Sequence, residues 1–206
     1  MARKTHEEAQ QTRHSILDAA ERVFRAQGVS ATTLQQIAAA AGVTRGAVYH
    51  HFNSKHEIVD AMLERVIVPI EADSQAHLGT PAAAQPMARI EAHVLSLFGY
   101  IAATPQAQRV FDICTTRIEY GAEHEPLRQR QLESRRDYQQ KLAGTLAAAQ
   151  QSGELPKKAP ADELAVGLFA LIDGLIRAWI LAPGSFDLVR VGVGAVRSHL
   201  EGLRRG

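Results

Sequence analysis

The feature that most constrains the fold is the way glycine and hydroxyl residues cut residues 16 to 57, ILDAAERVFRAQGVSATTLQQIAAAAGVTRGAVYHHFNSKHE, into short helical runs. Ile16, Leu17, Ala20, Val23 and Phe24 recur at the 3.6-residue period and Gly28 follows as a left-handed stop, so a first helix is predicted over about residues 8 to 27. The pattern restarts at once. Thr32 or Thr33 caps, Gln35 or Gln36 stands at the return position of a capping box, and Leu34, Ile37, Ala38 and Ala41 form an inner stripe. Gly42 turns the chain, Thr44 caps a third helix that runs to about His51, and Ser54 with Glu57 opens a fourth. Two short helices joined at a glycine turn and braced by a longer one in front have the size and order of a helix-turn-helix, whose second member enters a DNA major groove.

The composition of the third helix agrees with that reading. Val48 and Phe52, an i and i+4 pair, are predicted to anchor onto Ile37 and Phe24. Thr44, Arg45, Ala47, Tyr49, His50 and His51 are left to project or flank outward, and Gly46 allows close approach of a backbone phosphate. Lys55 adds a charge and a helix N-terminus with free amides. No acid lies between residues 43 and 56, so Arg45 and Lys55 give that stretch a charge of +2. The whole chain, with Lys+Arg 23 against Asp+Glu 22, carries only +1. A nucleic-acid surface must therefore be this local patch and not a global polycation.

Beyond residue 64 the punctuation continues. Pro69 is expected to bend or end helix four, and residues 79 to 86, GTPAAAQP, read as a loop. Ile90, Val94, Leu97, Phe98 and Ile101 mark a fifth helix, and Val110, Phe111, Ile113, Cys114 and Ile118 a sixth after Pro105. Leu127, Leu132, Tyr138, Leu142 and Leu146 mark a seventh that ends at Gly153. Asp162 can cap an eighth helix that stops at Pro183-Gly184, and Ser185 or Asp187 starts a ninth. No alternating strand pattern occurs. The expected fold is all-α with about nine helices: a helix-turn-helix DNA-binding domain over residues 1 to 54, then a helical ligand-binding and dimerisation domain over 55 to 206.

Helix eight is apolar nearly all round and needs cover on two sides. Leu164, Leu168, Leu171 and Leu175 form a coiled-coil-like seam, as do Val189, Val193, Val196, Leu200 and Leu203 in helix nine. Such seams are expected to pair with their copies in a four-helix homodimer interface, which would set two reading helices about 34 to 36 Å apart on a palindrome. Residues 164 to 182 are long and apolar, but Asp173 and Arg177 near their centre argue for a buried helix and against a membrane span. One cysteine and no leader-like start fit a cytoplasmic protein.

Residues 16 to 63 resemble the N-terminal domain of the tetracycline-repressor (TetR) family nearly residue for residue. The opening ARKTHEEAQQTR and the distal ALIDGLIRAWILAPGSFDL resemble its acriflavine-resistance-repressor branch. The resemblance implies a double-stranded DNA operator, Thr33, Thr44 and Tyr49 at phosphates, Gln35 at the DNA from helix two, Arg45 at a base edge, and Lys55 as a phosphate-binding lysine. His50 and His51 fall where the family usually has an aromatic and then a histidine or tyrosine, so His50 departs from the pattern. Arg3 and Lys4 would form a backbone-following arm. The resemblance further implies repression of a multidrug efflux operon, relieved by a hydrophobic inducer in a pocket matched by Ile90, His93, Val94, Leu97, Phe111, Cys114, Thr115, Phe169, Ile172 and Asp173.

Competing readings stand beside these. His50, His51 and His56 diverge around a helix and make no metal set, and no cofactor is expected. Cys114, one turn before Arg117, is either a thiolate sensor or an inert buried thiol. His93 and Asp173 are either ligand contacts or satisfied core groups. No nucleophile elbow, phosphate loop or metalloprotease pair is present, which argues against an enzyme. A regulator of a metabolic operon and a dimeric adaptor that no longer reads DNA are the remaining alternatives.

Overall fold

A computed structural model describes residues 2–80, 84–118 and 125–205. Among the described residues the chain forms nine α-helices and no strand: α1 (Ala2–Gln27), α2 (Leu34–Ala41), α3 (Arg45–His51), α4 (Lys55–Leu78), α5 (Pro86–Ala103), α6 (Pro105–Thr116), α7 (Glu125–Ser152), α8 (Ala161–Leu181) and α9 (Leu188–Arg205). They pack as two compact units, Met1–Ile67 with Arg109–Gln129, and Val68–Gln108 with Arg130–Gly206. The expected boundary after residue 54 marks the end of the helix-turn-helix, whereas compact packing continues to Ile67 and takes in part of α6.

In the first unit α1 braces α2 and α3. Ile16, Leu17, Ala20, Phe24, Ile37, Val48 and Phe52 are all buried, as the inner-face pattern predicted. Buried in the same core is the carboxylate of Glu21, held by Arg109 Nε at 3.0 Å and flanked by Arg65 Nη1 at 3.7 Å. An unpaired carboxylate there would be strongly destabilising, so these two arginines make its burial tolerable.

The second unit is organised by α9, which packs along α5 and against α8. Helix α5 buries Ile90, Val94, Phe98 and Ile101. Gly192 of α9 is what lets the two helices approach, because a Cβ at that position would lie 2.5 Å from Cε2 of Phe98.

Several details depart from the sequence expectations. Helix α4 neither ends nor breaks at Pro69 but runs through it to Leu78. Pro69 lacks the N–H that would bond the carbonyl of Arg65, which leaves a locally weakened ladder inside a continuous helix. Asp162 is not a cap: Pro160 precedes α8 and Asp162 lies in its first turn, where its charge still opposes the helix dipole. Asp187 caps α9, its Oδ1 accepting from the Arg190 amide at 2.9 Å.

The residues of the predicted dimer seam differ in what they leave exposed. Leu168, Val196 and Leu200 are buried inside a single chain and present nothing to a partner. Leu164, Leu171, Leu175, Val189 and Val193 are half-buried. A leucine and valine seam satisfies an intrachain helix pair as readily as a coiled coil, and here α5 and α9 use it. What α8 leaves exposed is another stripe: Val166, Gly167, Ala170, Gly174, Ala178 and Leu181. Helix α8 is long and apolar enough to cross a membrane by length and composition, and only 28% of its apolar window is buried. It is thus covered on one side, not on two.

Candidate nucleic-acid interface

The α2–turn–α3 motif is fixed by three local devices. Thr33 Oγ1 accepts from the Gln36 amide at 3.2 Å and Gln36 Oε1 accepts from the Thr33 amide at 2.8 Å, completing the capping box. Gln36 and not Gln35 therefore fills the return position, and Gln35 is left exposed. Gly42 takes φ 70°, a left-handed conformation that costs glycine little. Thr44 Oγ1 accepts from the Ala47 amide at 3.1 Å, and Val48 buries the inner face of α3. A seven-residue helix has little stability of its own, so this cap and this anchor hold it in place.

The outer face of α3 is presented to solvent. Thr44, Arg45, Gly46, Tyr49 and His50 are all exposed. Arg45 donates from Nη2 to Tyr49 Oη at 3.1 Å, and its guanidinium lies 5.3 Å from the Tyr49 ring centroid. This i, i+4 pair pre-orients a planar fork of donors on an aromatic platform, the geometry suited to a guanine edge or a phosphate. A Cβ at Gly46 would meet only Thr44 Oγ1, at an ordinary 3.8 Å. No described residue crowds that position.

Three of the residues predicted to contact DNA are also engaged within the chain. Lys55 extends its ammonium to the carbonyls of Val29 and Ser30, at 2.8 and 2.9 Å, so two of its three protons tie α4 to the loop before α2 and one remains for a phosphate. Thr33 uses its hydroxyl in the capping box. His51 is half-buried, edge-on to His50 at 5.2 Å, and its pKa is lowered by burial first and then by His50 and Arg13. Sequence reading missed Arg13, whose guanidinium lies 5.1 Å from the Phe52 ring centroid. The side chains of Arg3 and Lys4 lie outside the described part of the structure.

The residues expected to line a ligand pocket divide between the units: Phe111, Cys114 and Thr115 belong to the first and the others to the second. Phe111 and Thr115 are half-buried. Cys114 is buried, and burial together with the nearby charge of Asp60 pushes its thiol up to about 12, which favours the inert reading over the sensor. Ile90, Val94 and Ile172 are core residues. Asp173 pairs with Arg177 at 2.7 Å in a part-exposed i, i+4 ion pair, so it is a satisfied surface-facing group.

His93 is fully buried and both ring nitrogens are engaged, Nδ1 with Asp73 Oδ2 at 2.6 Å and Nε2 with Tyr138 Oη at 2.7 Å. Burial lowers its pKa against the opposing pull of Asp73. Tyr138 meets Phe169 edge-on at 5.9 Å, and Arg135 stands 4.7 Å over the Phe169 ring. Beside this chain of groups lies a cavity of about 220 Å³ lined by Pro69, Ile70, Asp73, Ser96, Leu97 and Tyr100. Of the predicted pocket residues only Leu97 lines it. Asp73 was readable in the sequence as a carboxylate one turn before His77, but its partner His93 is twenty residues on and only the packing of α4 on α5 reveals it.

Comparison with known proteins agrees with this geometry. The pattern for bacterial regulatory proteins of the tetR family matches residues 16–62, and that for the C-terminal part of BetI-type transcriptional repressors matches residues 86–205. The HTH-type transcriptional regulator TtgR of Pseudomonas putida is 37% identical over 193 residues, 92% of this chain and 90% of that protein. The HTH-type transcriptional regulator AcrR of Shigella flexneri is 36% identical, over 91% of this chain and 87% of its own length. A solved complex of SmeT with triclosan superposes with a TM-score of 0.82 at 31% identity, covering 93% of this chain and 91% of that one. SmeT is the repressor of the Stenotrophomonas maltophilia multidrug efflux pump SmeDEF.

Proposed function

The chain belongs to the tetR family of bacterial regulatory proteins, and from that membership we propose that it is a cytoplasmic, homodimeric repressor of a multidrug efflux operon, released from a palindromic operator by hydrophobic small molecules. The observation that carries the DNA half of this reading is the exposed Arg45–Tyr49 pair on a capped, carboxylate-free helix. Arg45 reads a base edge, Thr44, Tyr49 and the third proton of Lys55 meet phosphates, Gln35 and His50 flank them, and Gly46 admits the backbone. The apolar stripe on α8 is covered by a second copy of the chain, and the two reading helices then fall on successive major grooves.

For the ligand half, the support is the cavity with its mixed lining, the aromatic pair Tyr138–Phe169 beside it, and the triclosan held by the related SmeT. At about 220 Å³ the cavity is smaller than the roughly 300–1,000 Å³ of drug-sized sites. An inducer therefore has to widen it, and α4 forms one wall. Helix α4 runs unbroken from Lys55 in the first unit to Leu78 in the second, with its weakened ladder at Pro69 on the cavity. A ligand that fits only the widened state and DNA that fits only the other oppose each other by the same factor.

The test is a gel-shift titration on the chain's own promoter. Arg45→Ala should lose roughly 10- to 100-fold in affinity and relax preference at one base pair, corresponding to about 1–3 kcal/mol. Tyr49→Ala should weaken all sequences alike. Equal binding of promoter and random duplex by the unaltered protein at moderate salt would end the proposal.

A further inference from the structure

We propose that Asp73, His77 and His93 form a binding site for one divalent transition-metal ion of the zinc class. Asp73 and His77 stand one turn apart on α4 and His93 comes from α5, all within the second unit. One ligand atom from each, two imidazole nitrogens and a carboxylate oxygen, fall within 4.8 Å of one another. Asp73 Oδ1 lies 3.3 Å from His77 Nδ1, close to the roughly 3.3 Å that separates two ligands about 2.0–2.1 Å from a tetrahedral ion, and His77 Nδ1 exchanges its 3.0 Å contact with the Asp73 carbonyl oxygen for the ion. His93 Nδ1 instead lies 2.6 Å from the other oxygen, Asp73 Oδ2, so a rotation of the carboxylate that opens this pair by roughly 0.7 Å is what brings a single oxygen to face both imidazoles.

The surroundings are those of a metal site. A ligating imidazole ordinarily gives its other nitrogen to an oriented partner, and His93 Nε2 already meets Tyr138 Oη at 2.7 Å. His93 is wholly buried and cannot swing away, whereas His77 is about a third exposed and supplies the movable ligand. Asp73 also lines the cavity, which gives the ion a route in and leaves a fourth position for water. Two imidazoles with one carboxylate and no thiolate suit zinc, cobalt or nickel, and disfavour magnesium and calcium, which take oxygen. The nearby Lys141 charge opposes a cation, but Asp137 neutralises it at 2.8 Å.

Asp73 is shared with the cavity read as an inducer chamber, but Co²⁺ binding and drug-induced release from DNA are read by different assays, so either can fail alone. Full-length protein stripped with a chelator is titrated with Co²⁺ and followed by its visible d–d absorption, with Zn²⁺ added to compete. One equivalent per chain should give bands of a four-coordinate site that Zn²⁺ abolishes. His77→Ala and Asp73→Asn should each weaken Co²⁺ binding at least tenfold while helical content is kept, and Tyr138→Phe should weaken it about tenfold through the lost partner. Absence of bands in the unaltered protein overturns the site. So do bands that persist unchanged in both His77→Ala and Asp73→Asn, which would place the ion on surface histidines and leave the triad a hydrogen-bonded network.

Discussion

Gly192→Ala sets two physical effects against each other. In a helix interior, replacing glycine by alanine stabilises by about 0.8–1.0 kcal/mol through backbone entropy. At Gly192 the new Cβ would sit 2.5, 2.7 and 3.2 Å from Cε2, Cδ2 and Cζ of Phe98, a ring with no exposed surface. Overpacking of this kind costs about 1–3 kcal/mol because neither the ring nor the helix axis yields cheaply. The net expectation is destabilisation by about 1 kcal/mol, or about 2–4 °C in melting temperature for a chain of this size. Gly99→Ala is the control, on the partner helix α5 with nothing within 4 Å of the added carbon. It should stabilise by up to about 1 kcal/mol. Urea unfolding followed by circular dichroism, at one protein concentration, reads both signs. In a Phe98→Leu background the Gly192→Ala penalty should shrink or reverse, since a shorter side chain vacates the contested space. Two glycines that respond alike, or a Gly192 penalty indifferent to residue 98, would refute the close-approach account of how α5 and α9 pack.

Two other outcomes follow from named groups. With its thiol pushed up to about 12, Cys114 is roughly one part in ten thousand thiolate at pH 8, so iodoacetamide should leave it unmodified in the native protein and alkylate it fully in denaturant; native-state reaction at the rate of an exposed thiol would restore the sensor reading. Ala170→Glu, in the middle of the exposed α8 stripe, should shift the sedimenting species from dimer to monomer without loss of helicity, and a dimer that persists would move the interface off α8.

The reading motif was legible in the sequence because it is held by local interactions. Gly28, Thr33, Gly42, Thr44 and the Val48–Phe52 pair act over one or two turns, and each appears in the structure at its expected place. The features that sequence did not announce depend on distant partners. Lys55 carries a charge in a basic run, but its ammonium turns to carbonyls about twenty-five residues back, which no spacing rule announces. Asp73 and His93 likewise meet only because α4 and α5 pack together. Periodicity says that a side chain is inward and does not name what lies opposite.

Helix α8 shows how that limit bears on assembly. Of the leucine seam read from its sequence, Leu168 is buried within the chain and Leu164, Leu171 and Leu175 are half-buried. The stripe left outside, with Gly167, Ala170, Gly174 and Ala178 between Val166 and Leu181, looks weak on a hydropathy scale because its side chains are small. Small side chains are nevertheless what allows two helix backbones to come close and gain dispersion contacts along their length. A helix of 21 residues is about 31 Å long, so the stripe runs the length of a standard-sized contact. The exposed side chains of α9 are polar apart from Gly194 and Gly202, among them Arg190, Arg197 and Glu201, and Arg197 is already held by Glu91 at 3.0 Å. The apolar part of the proposed association therefore rests mainly on α8, and in that dimer its stripe of small residues would set the register in which two reading helices are presented to DNA.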